Sequence, residues 1–248
     1  IFHRGPNLAR LKSSSQAWEV NMDKTTGSVR KAYIVFDLDG TLVFSHKQVL
    51  LASKIVLKKW FGYEVSEKEF ENGFHKNPVK FYKNFNIDVS ITENRKKIEA
   101  FWEYASLEVG LNVPLFPDIK ELLNKLKEEG FSIYIWTARD KLCTHRILKN
   151  LEIFDFFEGI SCGDETAHKP NAEGLEVLVG QYPKEDVFVI GDSETDIQGA
   201  KAFGCNALAA LWCPNAEEAS LESAGADFLV TKPLECLDIF RKSLVIES

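Results

Sequence analysis

Two aspartates one residue apart, Asp37 and Asp39, follow the apolar run AYIVF at residues 32–36 and are themselves followed by Gly40 and Thr41. The run has the length and the β-branched and aromatic content of a strand buried on both faces. Both carboxylates therefore fall where its carboxyl end meets solvent, the edge at which open α/β sheets take their ligands. Side chains at i and i+2 of extended backbone point the same way, so the pair can serve one ligand or one hard cation. Gly40 permits a sharp turn and Thr41 adds a hydroxyl. On these residues alone, an acidic turn holding an incidental calcium ion would leave the same trace.

Three more polar constellations share that placement. Thr137, Ala138, Arg139 and Asp140 close the run FSIYIW at 131–136; Asp164, His168, Lys169 and Pro170 lie beyond a short apolar stretch at Ile160 and Ser161; Gly191, Asp192 and Asp196 follow VFVI at 187–190. Taken singly each has a plain explanation. Thr137 suits a turn cap, Lys169 a solvated lysine, and Asp192 with Asp196 either a helix cap or a metal site. Arg139 and Asp164 suit a surface ion pair, and His168 local support. Their joint position after strands is what points to one site.

The elements that must hold these residues alternate along the chain. Helical periodicity is expected over Ile119–Glu129, Lys141–Asn150, 172–180, Ile197–Phe203, Ala216–Ala224 and Leu234–Leu244, with strands at Phe131–Trp136, Val187–Ile190, Ala207–Leu211 and Phe228–Val230. Repeated strand, helix and glycine-marked turn predicts an α/β fold, a Rossmann-like and mostly parallel sheet covered by helices on both faces. Residues 47–111 break the alternation with helical patterns at Gln48–Phe61 and Ile98–Val109 and a capping signal at Ser66 and Glu69. A connection of that length needs structure of its own. The segment is read as a small helical insertion after the first strand, with residues 29–46 and 112–248 as the core.

Composition excludes several classes. The formal charge of -7 argues against nonspecific nucleic-acid binding. Residues 47–111 carry eleven Lys or Arg against nine Asp or Glu, so that segment is about +2 and the rest of the chain about -9, and a small anionic substrate would meet the positive side chains of the insertion more favourably. The five cysteines, at 143, 162, 205, 213 and 236, have neither CxxC spacing nor a histidine cluster and suit reduced, buried thiols. No run suggests a membrane span or a signal peptide, so a cytoplasmic protein is expected. Residues 1–28 hold no sustained period and are read as a leader outside the core; with Met22 the only methionine, either translation naturally begins there behind an expression-derived leader or the chain is a processed or trimmed one.

DLDGTL at 37–42 resembles the nucleophile motif of the haloacid dehalogenase-like hydrolases, and the resemblance extends in outline over residues 32–240. Thr137 in IWTAR, Lys169 in HKP, and Asp192 with Asp196 in GDSETD match the family's further motifs in order. The insertion is similar to the helical cap of phosphoglycolate phosphatase and β-phosphoglucomutase relatives. The resemblance implies a Mg2+-dependent phosphatase acting on a small phosphorylated metabolite; charge and the lack of a membrane span predict no nucleic acid and no membrane as partner, and the sequence does not decide between a monomer and a homodimer. Asp37 would be the nucleophile and Asp39 the acid and base. Mg2+ would be held by Asp37, the Asp39 backbone carbonyl and Asp192, with Asp196 behind them. Thr137, Ala138, Lys169, Gly40 and Thr41 would bind the phosphoryl group. Phe74, His75, Lys76 and Lys80 in the cap are the candidates for specificity. A phosphomutase, and a phosphate sensor or scaffold that has lost turnover, are the alternatives; Thr41 favours the phosphatase branch.

Overall fold

The computed structural model describes residues 31–73, 78–98, 100 and 113–244. The expected leader, the cap residues Phe74, His75 and Lys76, and most of the helix expected at Ile98–Val109 lie outside the described residues. In chain order the elements are β1 (Tyr33–Phe36), α1 (His46–Phe61), α2 (Glu67–Gly73), α3 (Pro78–Asn84), α4 (residues 92–98), α5 (Ile119–Glu128), β2 (Ser132–Trp136), α6 (Lys141–Asn150) and β3 (Gly159–Ser161). They continue with α7 (Glu173–Val179), β4 (Val187–Gly191), α8 (Glu194–Phe203), β5 (Asn206–Ala210), α9 (Glu218–Ser223), β6 (Phe228–Val230) and α10 (Glu235–Leu244). Contacts divide the chain into two compact units, with boundaries at Phe44/Ser45, Pro114/Leu115, Lys141/Leu142 and Leu151/Glu152.

The first unit is built on six strands in the order β3-β2-β1-β4-β5-β6, every neighbouring pair parallel. β1 is central, with Val35 opposite Tyr134 on one side and Val189 on the other. Every residue of β2 and β4 is buried, as strands covered on both faces must be. One face carries Val35, Tyr134, Trp136, Val187 and Val189 against Leu175 and Val179 of α7 and Ile197, Ala200 and Phe203 of α8. On the other, Phe188 meets Phe240 of α10 edge-on, ring centroids 5.2 Å apart, and α5 packs on β2 through its buried leucines. Full burial of each such aliphatic side chain is worth about 1.5–3 kcal/mol. After β1 the chain builds β2 and β3 outward on one side, then crosses to β4 on the other. That change of direction opens a crevice between β1 and β4 at their carboxyl ends.

The second unit has its own core. Ala52, Val56 and Leu57 of α1 pack with Phe70, Phe81, Tyr82, Phe85, Ile87 and Ile98, so most of the described aromatics of the insertion serve its interior. α1 ends at Gly62, whose φ of 72° is the left-handed cap that glycine adopts without strain. The capping box read at Ser66 forms: Glu69 N–H donates to Ser66 Oγ at 3.3 Å and Ser66 N–H to Glu69 Oε2 at 2.9 Å. Lys80 is exposed on α3.

Sequence and structure differ mainly at element ends. β5 begins one residue before the expected Ala207 because Asn206 enters the ladder opposite Phe188, and its side-chain amide donates to the Glu185 and Val187 carbonyls. All five cysteines are buried, and none is joined in a disulfide. No helix among the described residues is long and apolar enough to cross a membrane.

Candidate active site

β1 delivers Asp37 into the crevice. The Asp37 N–H continues the parallel ladder by donating to the Ile190 carbonyl of β4 at 2.9 Å. A tight turn follows at once, with the Leu38 carbonyl accepting from both Leu42 and Val43 N–H at 3.0 Å and Gly40 N–H donating to the Val43 carbonyl at 2.9 Å. Gly40 is required here for two reasons. Its φ of +90° suits glycine, and a Cβ would lie 2.4 Å from Asp192 Oδ2. The turn after β1 and the acidic end of β4 are thereby packed backbone to carboxylate.

Asp37, Asp192 and Asp196 converge, each offering a carboxylate oxygen within 4.8 Å of the others, and all three are buried. Lys169, from the loop after β3, reaches into this group: Nζ donates to Asp37 Oδ1 at 2.7 Å and to Asp196 Oδ1 at 2.6 Å. Asp196 is held from behind, its Oδ2 accepting from Ser193 Oγ at 2.6 Å and Ser193 N–H at 3.1 Å at the start of α8. Burial pushes the Asp37 carboxyl well above the usual carboxylate range; Lys169 opposes this, while Asp196 and Asp192 add to it. Burial works against the Lys169 charge, but Asp196 and Asp37 outweigh it and hold the ammonium above its ordinary value. The three buried carboxylates offer a cluster of negative oxygens to one point, which suits a divalent cation. Their hard oxygens fit an ion such as Mg2+.

Asp39 stands apart from this trio. Its carboxylate is gripped by Arg139, Nε donating to Oδ2 at 2.9 Å and Nη2 to Oδ1 at 2.6 Å. Thr137, buried at the end of β2, accepts from Arg139 N–H at 3.1 Å and so shapes the turn that aims the guanidinium. In the sequence Arg139 suits an ordinary surface ion pair, and nothing in the spacing of residues 39 and 139 shows that a two-pronged pair forms between them. Replacing Arg139 by Lys, which keeps the charge but loses the planar fork, is expected to lower kcat/KM about tenfold, and Arg139→Gln further. Steady-state kinetics check this, and unchanged values in both variants would remove Arg139 from the site.

The remaining candidates divide. Ala138 is exposed in the same turn. Thr41 is fully buried, its hydroxyl making no hydrogen bond among the described residues, while its carbonyl accepts from Trp212 Nε1 at 2.9 Å. Trp212, just beyond β5, therefore braces the β1 turn from a strand two places away, a contact no motif announces. Asp164 accepts from Lys141 N–H at 3.0 Å and serves the start of α6. His168 is exposed, and its carbonyl accepts from Asn171 N–H.

Comparison with known proteins bears on the fold and the family. The profile of the haloacid dehalogenase-like hydrolases matches residues 34–210. A phosphoglycolate phosphatase of Aquifex aeolicus is 25% identical over 86% of this chain and 98% of its own. A candidate pyrophosphatase, PpaX, of Clostridium perfringens is 28% identical over 84% of this chain and 97% of its own. Among solved structures, a haloacid dehalogenase-like hydrolase from Streptococcus pneumoniae superposes with a TM-score of 0.70 at 29% identity, covering 85% of this chain and 99% of that one. The chain belongs to the haloacid dehalogenase-like hydrolase family, and its parallel sheet, inserted helical cap and aspartate cluster are those of a phosphoric monoester hydrolase.

Proposed function

We propose that the protein is a Mg2+-dependent phosphatase that hydrolyses a small phosphate ester through an aspartyl-phosphate on Asp37. The convergence of Asp37, Asp192 and Asp196 around Lys169 at the sheet edge is the observation that carries this reading. A carboxylate oxygen of Asp37 attacks phosphorus, and the bond from phosphorus to the leaving oxygen breaks. Asp39 gives that oxygen a proton, then takes one from the water that attacks the phosphoenzyme. The second displacement restores Asp37 and frees inorganic phosphate. Lys169 faces the anionic phosphoryl oxygens with a fixed charge while holding Asp37 in place. Thr137 and the backbone of its turn border the same edge as phosphoryl partners. Asp37, Asp192 and the Asp39 carbonyl would hold Mg2+, with Asp196 orienting the group, and the bound ion would supply neutralisation of charge on the transferred group.

The kinship with a phosphoglycolate phosphatase and a candidate pyrophosphatase favours a small, highly charged substrate. The test is phosphate release from 2-phosphoglycolate, sugar phosphates, nucleoside monophosphates and pyrophosphate, with Mg2+ and with EDTA. Turnover that needs Mg2+ on at least one of these is expected; no release from any of them rejects the reading. Recovery of a rearranged sugar phosphate in place of inorganic phosphate would indicate a mutase.

Metal binding has a readout independent of turnover. Mg2+ at a hundredfold excess over its Kd is expected to stabilise the folded chain by about 2.7 kcal/mol, and Asp192→Asn to lose most of that gain, as read by Tm. The effect depends on pH. Asp37 titrates above its ordinary value of 3.8 in the folded protein, so its contribution to stability is complete below that value and is lost as pH rises through the folded one. The metal-free protein should therefore be less stable at pH 7.5 than at pH 5 on this account, and Mg2+ should raise Tm more at the higher pH. An equal shift at both would remove Asp37 from the metal site.

A further inference from the structure

The residue under Lys169 is a tryptophan. Trp136 ends β2, is 2% exposed, and presents its ring to the Lys169 ammonium, with Nζ 4.5 Å from the centroid. Two helices leave room for it. A Cβ on Gly174 of α7 would lie 2.4 Å from Trp136 Nε1, and one on Gly199 of α8 would lie 2.4 Å from Cη2. Neither glycine has the positive φ that would demand glycine on conformational grounds. Both sit inside helices, where alanine would be more stable, so what they supply is space for the indole.

We propose that Trp136 is a positioning residue whose indole face fixes the Lys169 ammonium beneath the reacting phosphoryl group. The proposal rests on the reading of Lys169 as the cation that meets the phosphoryl oxygens. A lysine ammonium has three N–H donors, and Asp37 and Asp196 take two of them. A third carboxylate would accept the last and compete with the substrate. An aromatic face attracts the charge through its quadrupole without being a strong hydrogen-bond acceptor, and it does so most effectively where water is excluded. The ring thus offsets part of the cost of burying the charge and leaves a donor for the substrate.

The test is site-specific incorporation at position 136 of tryptophans carrying one, three and four ring fluorines, which weaken the quadrupole while nearly preserving shape. kcat/KM is expected to fall stepwise to about a tenth of the starting value, inhibition by inorganic phosphate to weaken in parallel, and Tm to stay level. As a second arm, Trp136→Phe keeps an aromatic face and Trp136→Leu does not, although both shrink the side chain; the first should retain several times the activity of the second at similar Tm. A flat fluorine series beside an active unsubstituted chain, or equal activity in the Phe and Leu variants, overturns the role of Trp136 alone. An unsubstituted chain that releases no phosphate from any ester overturns the phosphatase reading, and this proposal with it.

Discussion

Asp37→Asn is expected to lower turnover by roughly 10³-fold or more, since an amide cannot form the acyl phosphate that divides the hydrolysis into two displacements. The fold should survive. Asn has the same shape, and the Asp37 N–H that joins the Ile190 carbonyl belongs to the backbone. Stability should hold or rise in the absence of metal, because the burial and the neighbouring Asp196 and Asp192 that push the carboxyl upward also make its charge costly. Phosphate release and Tm measured on the same preparation separate the two effects. Turnover close to that of the parent chain would reject Asp37 as the nucleophile.

Lys169→Met should damage both properties. Its side chain is 5% exposed, against 9% for Asp37 and 2% for Asp196, so removing the ammonium strands two carboxylates in a site with little water. Breaking a buried pair from one side costs about 3–5 kcal/mol, and losing a fixed cation at a developing charge costs roughly 10²–10³ in kcat. The contrast with Asp37→Asn is the informative part. One variant removes an anion from an over-negative cluster, whereas the other removes its cation. The double variant should therefore be more stable than Lys169→Met alone, a coupling that a double-mutant cycle reads directly. Strict additivity would mean that the two side chains do not share one electrostatic site, despite the 2.7 Å between Lys169 Nζ and Asp37 Oδ1.

How much of this was legible beforehand depended on whether the signal was local. The turn after β1 was legible because a buried apolar run, two aspartates and a glycine dictate a strand edge whatever lies elsewhere. The capping box at Ser66 was legible for the same reason, being a contract between residues three apart. The ends of β5 were less so, because a strand stops where its neighbour stops pairing.

Local pattern was enough to place the polar side chains: Asp37, Thr137 and Asp192 stand directly after apolar runs that read as buried strands, Asp196 follows in the next helix, and Lys169 lies in the loop beyond the short stretch at Ile160 and Ser161. Which of these side chains meet is set by the folded chain. The ion pair of Asp39 with Arg139, the brace from Trp212 to the Thr41 carbonyl, and the ring of Trp136 beneath Lys169 join residues separated by 100, 171 and 33 positions. Strand order decides such meetings, and strand order is set by the long-range pairing of β1 with both β2 and β4, for which no short stretch of sequence carries a code.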